Sequence, residues 1–206
     1  MQMLQYNEAE NVELLKRLPV RLRVAFALLS AFRILPMYQR FHHRTGRGDA
    51  SALEAIVERL WRDITNAPMS TDEVKTDAEQ CMELVPSEED GWDEETQPSA
   101  EDAAAAVAYA LRARQTGDPQ EAAWAGRRVY EAIDRYVNSK TSGLVADPDD
   151  ELAILSHPLV QAELGRQRRD LHELLEIDRA NLSETKLAQL RERSLREAAG
   201  FFTRRS

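Results

Sequence analysis

Residues 26–61 read FALLSAFRILPMYQRFHHRTGRGDASALEAIVERLW, and this stretch decides the fold. It begins inside the segment Val20–Leu35, which is apolar on nearly every side of a helix and therefore predicts a helix surrounded by others. Pro36 should kink or restart that helix, because proline removes one backbone hydrogen bond. Gly46 then predicts a left-handed C-cap, and Asp49 predicts the N-cap of the next amphipathic helix.

Helical signals recur along the rest of the chain, whereas no segment shows the alternation and turn residues of a β-hairpin. We therefore predict an all-α, single-domain bundle over residues 1–206, with about seven to nine helices around the central Val20–Leu35 helix. An acidic, solvated loop at 87–98 connects two helical halves, with Trp92 as one anchored point. Ser99 and Asp102 resemble a capping box at the start of the second half. A polar loop is expected around residues 146–150.

Composition indicates a cytoplasmic protein. The single cysteine, Cys81, cannot form an internal disulfide, which fits a reducing compartment. The longest apolar run, Val24–Leu35, has about 12 residues, whereas a membrane-spanning helix needs about 20. The acidic start of the sequence does not resemble a secretory signal. We expect no membrane association.

Charge is distributed unevenly. The net charge is -9, yet residues 14–48 hold eight Lys or Arg and no acid, while residues 70–102 hold thirteen acids and one lysine. The two regions could face each other in the fold or across a dimer. The basic region could also bind nucleic acid, but a sequence pI near 5.1 makes nucleic acid an unlikely partner.

The first half of the chain carries a specific combination of motifs: Phe26, Arg33-x-x-Pro36-x-Tyr38-x-x-Phe41, Thr45-Gly46-x-Gly48-Asp49, and a helix that ends in Leu60-Trp61. This combination resembles the bacterial domain of unknown function 416 family. Supporting similarity continues through Pro86-Ser87, Ala100-x-Asp102-Ala103 and His157-Pro158, so it covers most of the chain. The resemblance implies an all-helical cytoplasmic bacterial protein of one domain. It implies no catalytic or binding residues, because the family offers none to carry over.

The glycine-bearing turn Thr45–Asp49 is the first feature that could bind a ligand, because backbone amides at a helix N-terminus hold phosphate. Asp49, however, places its own negative charge at that end. No Lys-Ser or Lys-Thr follows Gly48, as a phosphate-binding loop requires. The pattern therefore predicts a structural turn and cap formed by Gly46, Gly48 and Asp49.

Patterns for metal binding and nucleophilic catalysis are incomplete. His42 and His43 are adjacent and point about 100° apart on a helix, so they cannot easily share an ion. His172 and Glu176 lack the third protein ligand of a zinc site. Cys81 has no neighbouring histidine in sequence. We predict no metal ion and no cofactor.

Carboxylates supply the alternative hypothesis of an enzyme, because all-α nucleotide pyrophosphatases hold magnesium with acids from facing helices. Glu131 and Asp134 share one helical face, and Asp102 on the preceding helix could oppose them. These three residues would be the catalytic set of a magnesium-dependent nucleotide hydrolase. Arg128 and Arg135 offer the competing explanation of ordinary ion pairs.

Phe201 and Phe202 are the candidate interface residues. Two adjacent phenylalanines after Gly200 either dock on the bundle or bury in a partner, and docking or a homodimer contact is favoured over a foreign partner. Since no active-site pattern is complete, our main prediction is a non-catalytic cytosolic helical interaction protein that self-associates as a homo-oligomer.

Overall fold

The computed structural model describes residues 3–87, 93–141, 148–177 and 184–202. Within these ranges the chain is all-α, with nine helices and no strand, which confirms the predicted fold class. The helices are α1 (Glu8–Lys16), α2 (Val20–Thr45), α3 (Ala50–Thr65), α4 (Thr71–Glu83), α5 (Gln97–Thr116), α6 (Pro119–Thr141), α7 (Pro148–Ser156), α8 (Pro158–Glu176) and α9 (Glu184–Phe202).

Helix α2 is the centre of the bundle. Its side chains are buried almost without interruption from Leu22 to Tyr38. It contacts α3, α5, α6, α8 and α9, as a helix that is apolar on every side requires. Although α2 is strongly apolar, no helix in the described ranges is both long enough and apolar enough to cross a bilayer.

Helices α5 and α6 pack as an antiparallel pair against α2. Gly117 ends α5 with φ 69°, a left-handed conformation that favours glycine. The Asp118 side chain then accepts a hydrogen bond from the Gln120 amide at 2.9 Å and caps α6. Small residues let the helices of this layer approach closely, and nine alanines in the pair are 0 % exposed: Ala100, Ala103, Ala104, Ala106, Ala110, Ala113, Ala122, Ala125 and Ala132.

The restart predicted at Pro36 does not occur, because α2 is one helix from Val20 to Thr45. Leu35 and Met37, on either side of the proline, are only 7 % and 8 % exposed. The stability gained by packing both halves of α2 into the same core outweighs the loss of the one backbone hydrogen bond that proline removes.

Helix α5 begins at Gln97, two residues before the expected start at Ser99. The N-cap is Thr96, and the side chain of Asp102 accepts a hydrogen bond from Arg135 at 2.6 Å, so the predicted capping box is wrong. Proline is well suited to the first turn of a helix, and Pro98 occupies that turn here. Thr96 and Gln97 are 3 % and 0 % exposed, so the end of the 87–98 segment is buried instead of solvated. Trp92 lies outside the described residues.

Helix α7 occupies part of the segment that was predicted as a polar loop. It begins at Pro148, which suits the first position of a helix. Its apolar residues do not form a buried stripe, since Leu152 is 55 % exposed. The periodicity that identifies the longer helices is therefore missing from its sequence.

Candidate functional site

A charged residue lies in the middle of the apolar helix α2. Arg33 is 1 % exposed, and four buried polar residues surround it: Ser30 from α2, Glu163 and Asp170 from α8, and Ser194 from α9. We call these five residues the Arg33 cluster. An isolated charge in such a place would be very costly, so packing of the three helices depends on how Arg33 is paired.

The guanidinium of Arg33 meets both acids with close geometry. Its Nε and Nη2 atoms donate to the Glu163 carboxylate at 3.0 Å and 2.9 Å. Its Nη1 atom donates to Asp170 Oδ2 at 2.7 Å, and the two serine hydroxyls lie at 3.4 Å. An arginine has five N–H donors, and these contacts engage both terminal nitrogens and Nε. Arg33 is therefore fully used inside the protein.

A second layer of charges surrounds the Arg33 cluster. Arg193 on α9 donates to Asp170 Oδ1 at 2.7 Å and to Glu173 at 2.6 Å. Arg33 and Arg193 together balance Glu163 and Asp170. Burial alone would lower the pKa of Arg33, but the carboxylates of Glu163 and Asp170 raise it above its ordinary value, so the guanidinium stays charged. These ion pairs connect α8 and α9 to α2.

The three predicted catalytic acids lie near one another, but arginines stand between them. Asp102 on α5 is buried and pairs with Arg135 at 2.6 Å and with Arg128 at 3.6 Å. Arg128 also pairs with Glu131 at 3.3 Å. We call Asp102, Arg128, Glu131 and Arg135 the Asp102 cluster. It joins α5 to α6 through alternating charges.

The electrostatics of these acids follow from that arrangement. Burial raises the pKa of Asp102, although Arg135 and Arg128 oppose the shift. Burial also raises the pKa of Asp134, against a hydrogen bond with Tyr130. Within the described part of the chain, no group of three or more His, Cys, Asp or Glu is arranged to hold a metal ion. The magnesium-dependent hydrolase stays a prediction, and its three residues are held in contacts with arginine or tyrosine.

The turn after α2 is a structural unit. Gly46 has φ 70° and its amide donates to the His42 carbonyl at 2.8 Å, which caps α2. Asp49 caps α3, because its side chain accepts from the Ala52 amide at 2.9 Å. Gly48 has φ 67°, and a Cβ atom added there would lie 2.5 Å from the Tyr38 hydroxyl. That hydroxyl donates to the Leu84 carbonyl at 2.6 Å, so the turn, α2 and the end of α4 meet at one point.

The histidines and the cysteine take part in local structure. His42 Nδ1 lies 3.0 Å from the Arg47 carbonyl oxygen, and His157 caps α8 by accepting from the Leu159 amide at 3.2 Å. Cys81 is 0 % exposed, and burial raises the pKa of its thiol to about 12. A buried thiol with a raised pKa is a poor nucleophile.

The basic region 14–48 and the acidic region 70–102 face each other within one chain. Arg44 pairs with Asp93 at 3.2 Å and with Glu95 at 2.9 Å, and Arg40 also pairs with Glu95. Of the two predicted explanations, packing within the fold accounts for these contacts without a dimer. Each such exposed pair contributes little to stability.

One surface of the bundle remains open and apolar. Helices α2, α3 and α9 enclose a groove of about 340 Å³. Its lining is mainly apolar, with Phe32, Leu35, Pro36, Val57, Leu195 and Ala198, and Gln39, Glu54 and Glu58 supply the polar part. We call it the α2/α3/α9 groove. Leu195 is 45 % exposed there.

Arg191 fixes one side of this groove. Its guanidinium lies 5.0 Å from the centre of the Phe32 ring and 5.4 Å from that of Trp61, and it bonds to Glu58. These cation–π contacts and the ion pair hold α9 against α2 and α3.

The predicted interface residues Phe201 and Phe202 are the last two residues of α9. Their side chains lie outside the described part of the structure. Along the sequence, Phe202 follows Leu195 by seven residues, which is about two turns of an α-helix.

Reasoning from the sequence missed the Arg33 cluster, although two signals were present. Arg33 interrupts a segment that is otherwise apolar on every side, and a charge in such a segment needs a buried partner. Glu163 and Asp170 are seven residues apart, so they fall on one face of α8. Together these signals indicate a buried acidic face that receives an arginine.

Comparisons with known proteins agree with this architecture. The family model "Protein of unknown function (DUF416)" matches residues 10–199. The crystal structure of a DUF416 family protein from Shewanella baltica OS155 is similar, with a TM-score of 0.77, 19% sequence identity, and coverage of 90% of this chain and 93% of that chain. At that identity the similarity shows a shared fold. The search of curated proteins gives no match.

Proposed function

This chain belongs to the DUF416 family of proteins of unknown function, as its motifs predict, and on that premise we propose that it is a non-catalytic helical interaction protein of the bacterial cytoplasm that self-associates. Its interaction surface is the α2/α3/α9 groove. The observation that carries the proposal is the exposure of Leu195 in a groove with a mainly apolar lining.

An open apolar groove favours binding of another protein surface. Burying apolar area contributes roughly 25 cal/mol per Å², and Leu195 still has nearly half of its surface in water. Contiguous exposed apolar residues with a polar rim mark interaction sites on soluble proteins. Here Leu195 is the exposed apolar residue, Pro36 beside it is partly exposed, and Glu54 belongs to the polar rim.

A second copy of the chain is the occupant that fits this groove. The sequence at the end of α9 places Phe201 and Phe202 before Arg204 and Arg205. Aromatic residues followed by two arginines complement an apolar groove that has Glu54 and Glu58 in its lining. Leu195 of α9 lines the groove, and the segment that would enter it stands at the end of the same helix. That self-complementarity is what a two-fold symmetric dimer requires.

The oligomeric state tests the proposal directly. We expect sedimentation equilibrium of the native chain to show a monomer–dimer equilibrium that depends on protein concentration. High salt should weaken the dimer moderately, because charge pairs at the rim are screened while apolar contacts are not. A chain that is monomeric at every concentration and indifferent to salt contradicts self-association.

A matched pair of variants locates the surface. Leu195→Glu places a charge in the groove and should raise the dimer dissociation constant at least about tenfold, which corresponds to 1.4 kcal/mol. Leu152→Glu is the control, because Leu152 is also exposed (55 %) but lies on α7. Thermal unfolding checks that both variants fold. If both variants weaken the dimer equally, the α2/α3/α9 groove is not the dimer interface.

A further inference from the structure

The segment before α1 lies across the bundle as an extended strap. Residues 3–7 have no helical structure, and Asn7 has the extended backbone angles φ -129° and ψ 94°. Leu4 and Tyr6 are partly buried against the core, whereas Gln5 between them is exposed. This alternation is the pattern of an extended chain with one face against a protein surface. We call residues 3–7 the strap.

A side chain of α8 recognises the backbone of the strap. The Leu4 amide donates to Gln161 Oε1 at 2.8 Å, and Gln161 Nε2 donates to the Leu4 carbonyl at 2.9 Å. Nε2 also donates to the Leu155 carbonyl at 2.8 Å, which fixes the orientation of the amide group independently of the strap. One glutamine thus satisfies both backbone groups of one extended residue, as a neighbouring strand does in peptide recognition.

Two side chains of the strap have defined positions. The Tyr6 ring stacks on Tyr130 of α6, with ring centres 4.9 Å apart and planes 11° apart. Its hydroxyl donates to the Ala123 carbonyl at 3.3 Å. Leu4 lies over Gly165 of α8, where an added Cβ atom would be 3.9 Å from Leu4 Cδ1. The surface therefore contacts an apolar residue of the strap and, two positions later, a tyrosine.

The strap does not fill the surface beneath it. A cavity of about 70 Å³ remains between the strap, α1 and α8, lined by Tyr6, Asn11, Leu164, Gln167 and His172 among others. A void of that size has room for a few water molecules. The strap is held by a small number of separable contacts, not by close packing along its whole length.

We propose that the surface formed by Ala123 and Tyr130 of α6 with Gln161 and Gly165 of α8 is a peptide-docking site. It takes an extended segment of a partner protein that carries an apolar residue two positions before a tyrosine. The strap is its resident intramolecular ligand and competes with that partner. The backbone contacts of Gln161 accept an extended segment of any sequence. Stacking on Tyr130 selects the tyrosine, and the partly buried position of Leu4 favours an apolar residue two positions before it. This site is separate from the α2/α3/α9 groove.

Fluorescence anisotropy with a labelled peptide tests the site on the full-length chain. The peptide has the sequence of residues 1–8, and the opened variant is Leu4→Pro with Tyr6→Ser. These changes remove the Tyr6 side chain and the Leu4 amide that donates to Gln161, and they leave the docking surface intact. We expect the opened variant to bind the peptide at least tenfold more tightly than the native chain does, because the resident ligand no longer competes. Adding Tyr130→Ala, or using a peptide with Tyr6→Ser, should reduce binding at least tenfold.

Circular dichroism and thermal unfolding establish that each variant is folded. A folded opened variant that leaves the peptide free, or that binds the Tyr6→Ser peptide equally well, overturns the proposal. If the opened variant does not fold, photo-crosslinking of the native chain gives the answer. Excess peptide with benzoylphenylalanine at the tyrosine position should label the α6 segment that contains Tyr130, and uniform labelling overturns the proposal. Leu195→Glu should leave peptide binding unchanged, so failure of self-association does not affect this test.

Discussion

The Arg33 cluster and the Asp102 cluster both pair a buried charged side chain, but with opposite charge arrangements. In the first, one cation lies between two acids, and the side chains of Arg33, Glu163 and Asp170 are all 0% exposed. In the second, one acid lies between two arginines, and the side chains of Arg128 and Arg135 are 37% and 45% exposed. The first cluster is sealed, whereas the second reaches solvent.

This difference in solvent exposure determines how much stability is lost when one charged partner is removed. In the Arg33 cluster the remaining charges cannot reach water, so removal of one partner leaves a buried charge uncompensated. In the Asp102 cluster the arginines can turn outward and recover their hydration, as exposed ion pairs do. Both clusters connect helices, but only the first makes the packing of those helices dependent on it.

Replacement of Arg33 should have the largest effect. Arg33→Ala removes the cation between two buried acids, so Asp170 keeps only Arg193 and Glu163 keeps only Arg166 at 3.8 Å. We expect the free energy of unfolding to fall by about 3–5 kcal/mol. Urea titration followed by circular dichroism measures the change. Arg196→Ala is the matched control, because Arg196 and Glu192 form a pair with side chains 71% and 68% exposed, and its effect should stay within about 0.5 kcal/mol. A loss below about 1 kcal/mol for Arg33→Ala would mean that the cluster is not sealed.

Neutralising one acid of the Arg33 cluster should have an intermediate effect. Glu163→Gln keeps the shape of the side chain but removes the charge that Arg33 meets through two nitrogens at 2.9 and 3.0 Å. We expect a loss of about 1.5–3 kcal/mol, the range for hydrogen bonds to charged groups. The same urea titration measures it. An effect equal to that of the exposed control would contradict the importance of this pair.

The corresponding change in the second cluster should be small. Asp102→Asn removes a carboxylate whose burial is already unfavourable, and it frees Arg128 and Arg135 to be hydrated. We expect a change of at most about 1 kcal/mol at pH 7. If Asp102→Asn destabilises the protein as much as Arg33→Ala, the contrast between sealed and solvent-linked clusters is wrong.

The pH dependence of Asp102 gives the smallest and most specific effect. Because burial raises its pKa in the folded chain, the folded state holds the proton more tightly than the unfolded state. The stabilisation from that proton is present below the unfolded pKa and is lost as pH rises through the folded pKa. The native chain should therefore gain stability relative to Asp102→Asn as pH falls from 7 towards 4, as measured by thermal unfolding.

Asp93 provides a control of opposite sign. A hydrogen bond from Thr96, with help from Arg44, lowers the pKa of Asp93. Its stabilisation is present above the unfolded pKa and is lost as pH falls through the folded pKa. The native chain should lose stability relative to Asp93→Asn at acidic pH. Shifts in the same direction for Asp102→Asn and Asp93→Asn would contradict the assigned causes.

The sequence predicts the parts of this structure that depend on local signals. The apolar segment Val20–Leu35 identifies the central helix. Gly46 and Asp49 mark a helix end and a helix start, because a cap acts within a few residues. The partners of Arg33 lie 130 and 137 residues away along the chain, so no local pattern pairs them with it. The surroundings of Gly48 also depend on a residue that is distant in the sequence.

The sequence predicts Gly48 as part of a turn, but the Tyr38 hydroxyl beside it donates to the Leu84 carbonyl at the end of α4, which is 46 residues away from Tyr38. The candidate interaction surface is also a property of the assembled fold. Leu195 belongs to an ordinary amphipathic stripe in sequence, and only the packing of α2, α3 and α9 shows that this stripe is left partly uncovered. Acidic composition likewise indicated a solvated segment at 87–98, whereas tertiary packing buries Thr96 and Gln97.

The central claim is that converging polar side chains hold the helices together and that binding takes place at the apolar groove. Hydrogen–deuterium exchange at low and high protein concentration tests it most directly, because it locates the contact surface. We expect concentration-dependent protection in the α2 and α3 segments that line the groove and in α9, with no change in α5 or α6 around Asp102. Protection around Asp102, or no change anywhere in the chain, would contradict the claim.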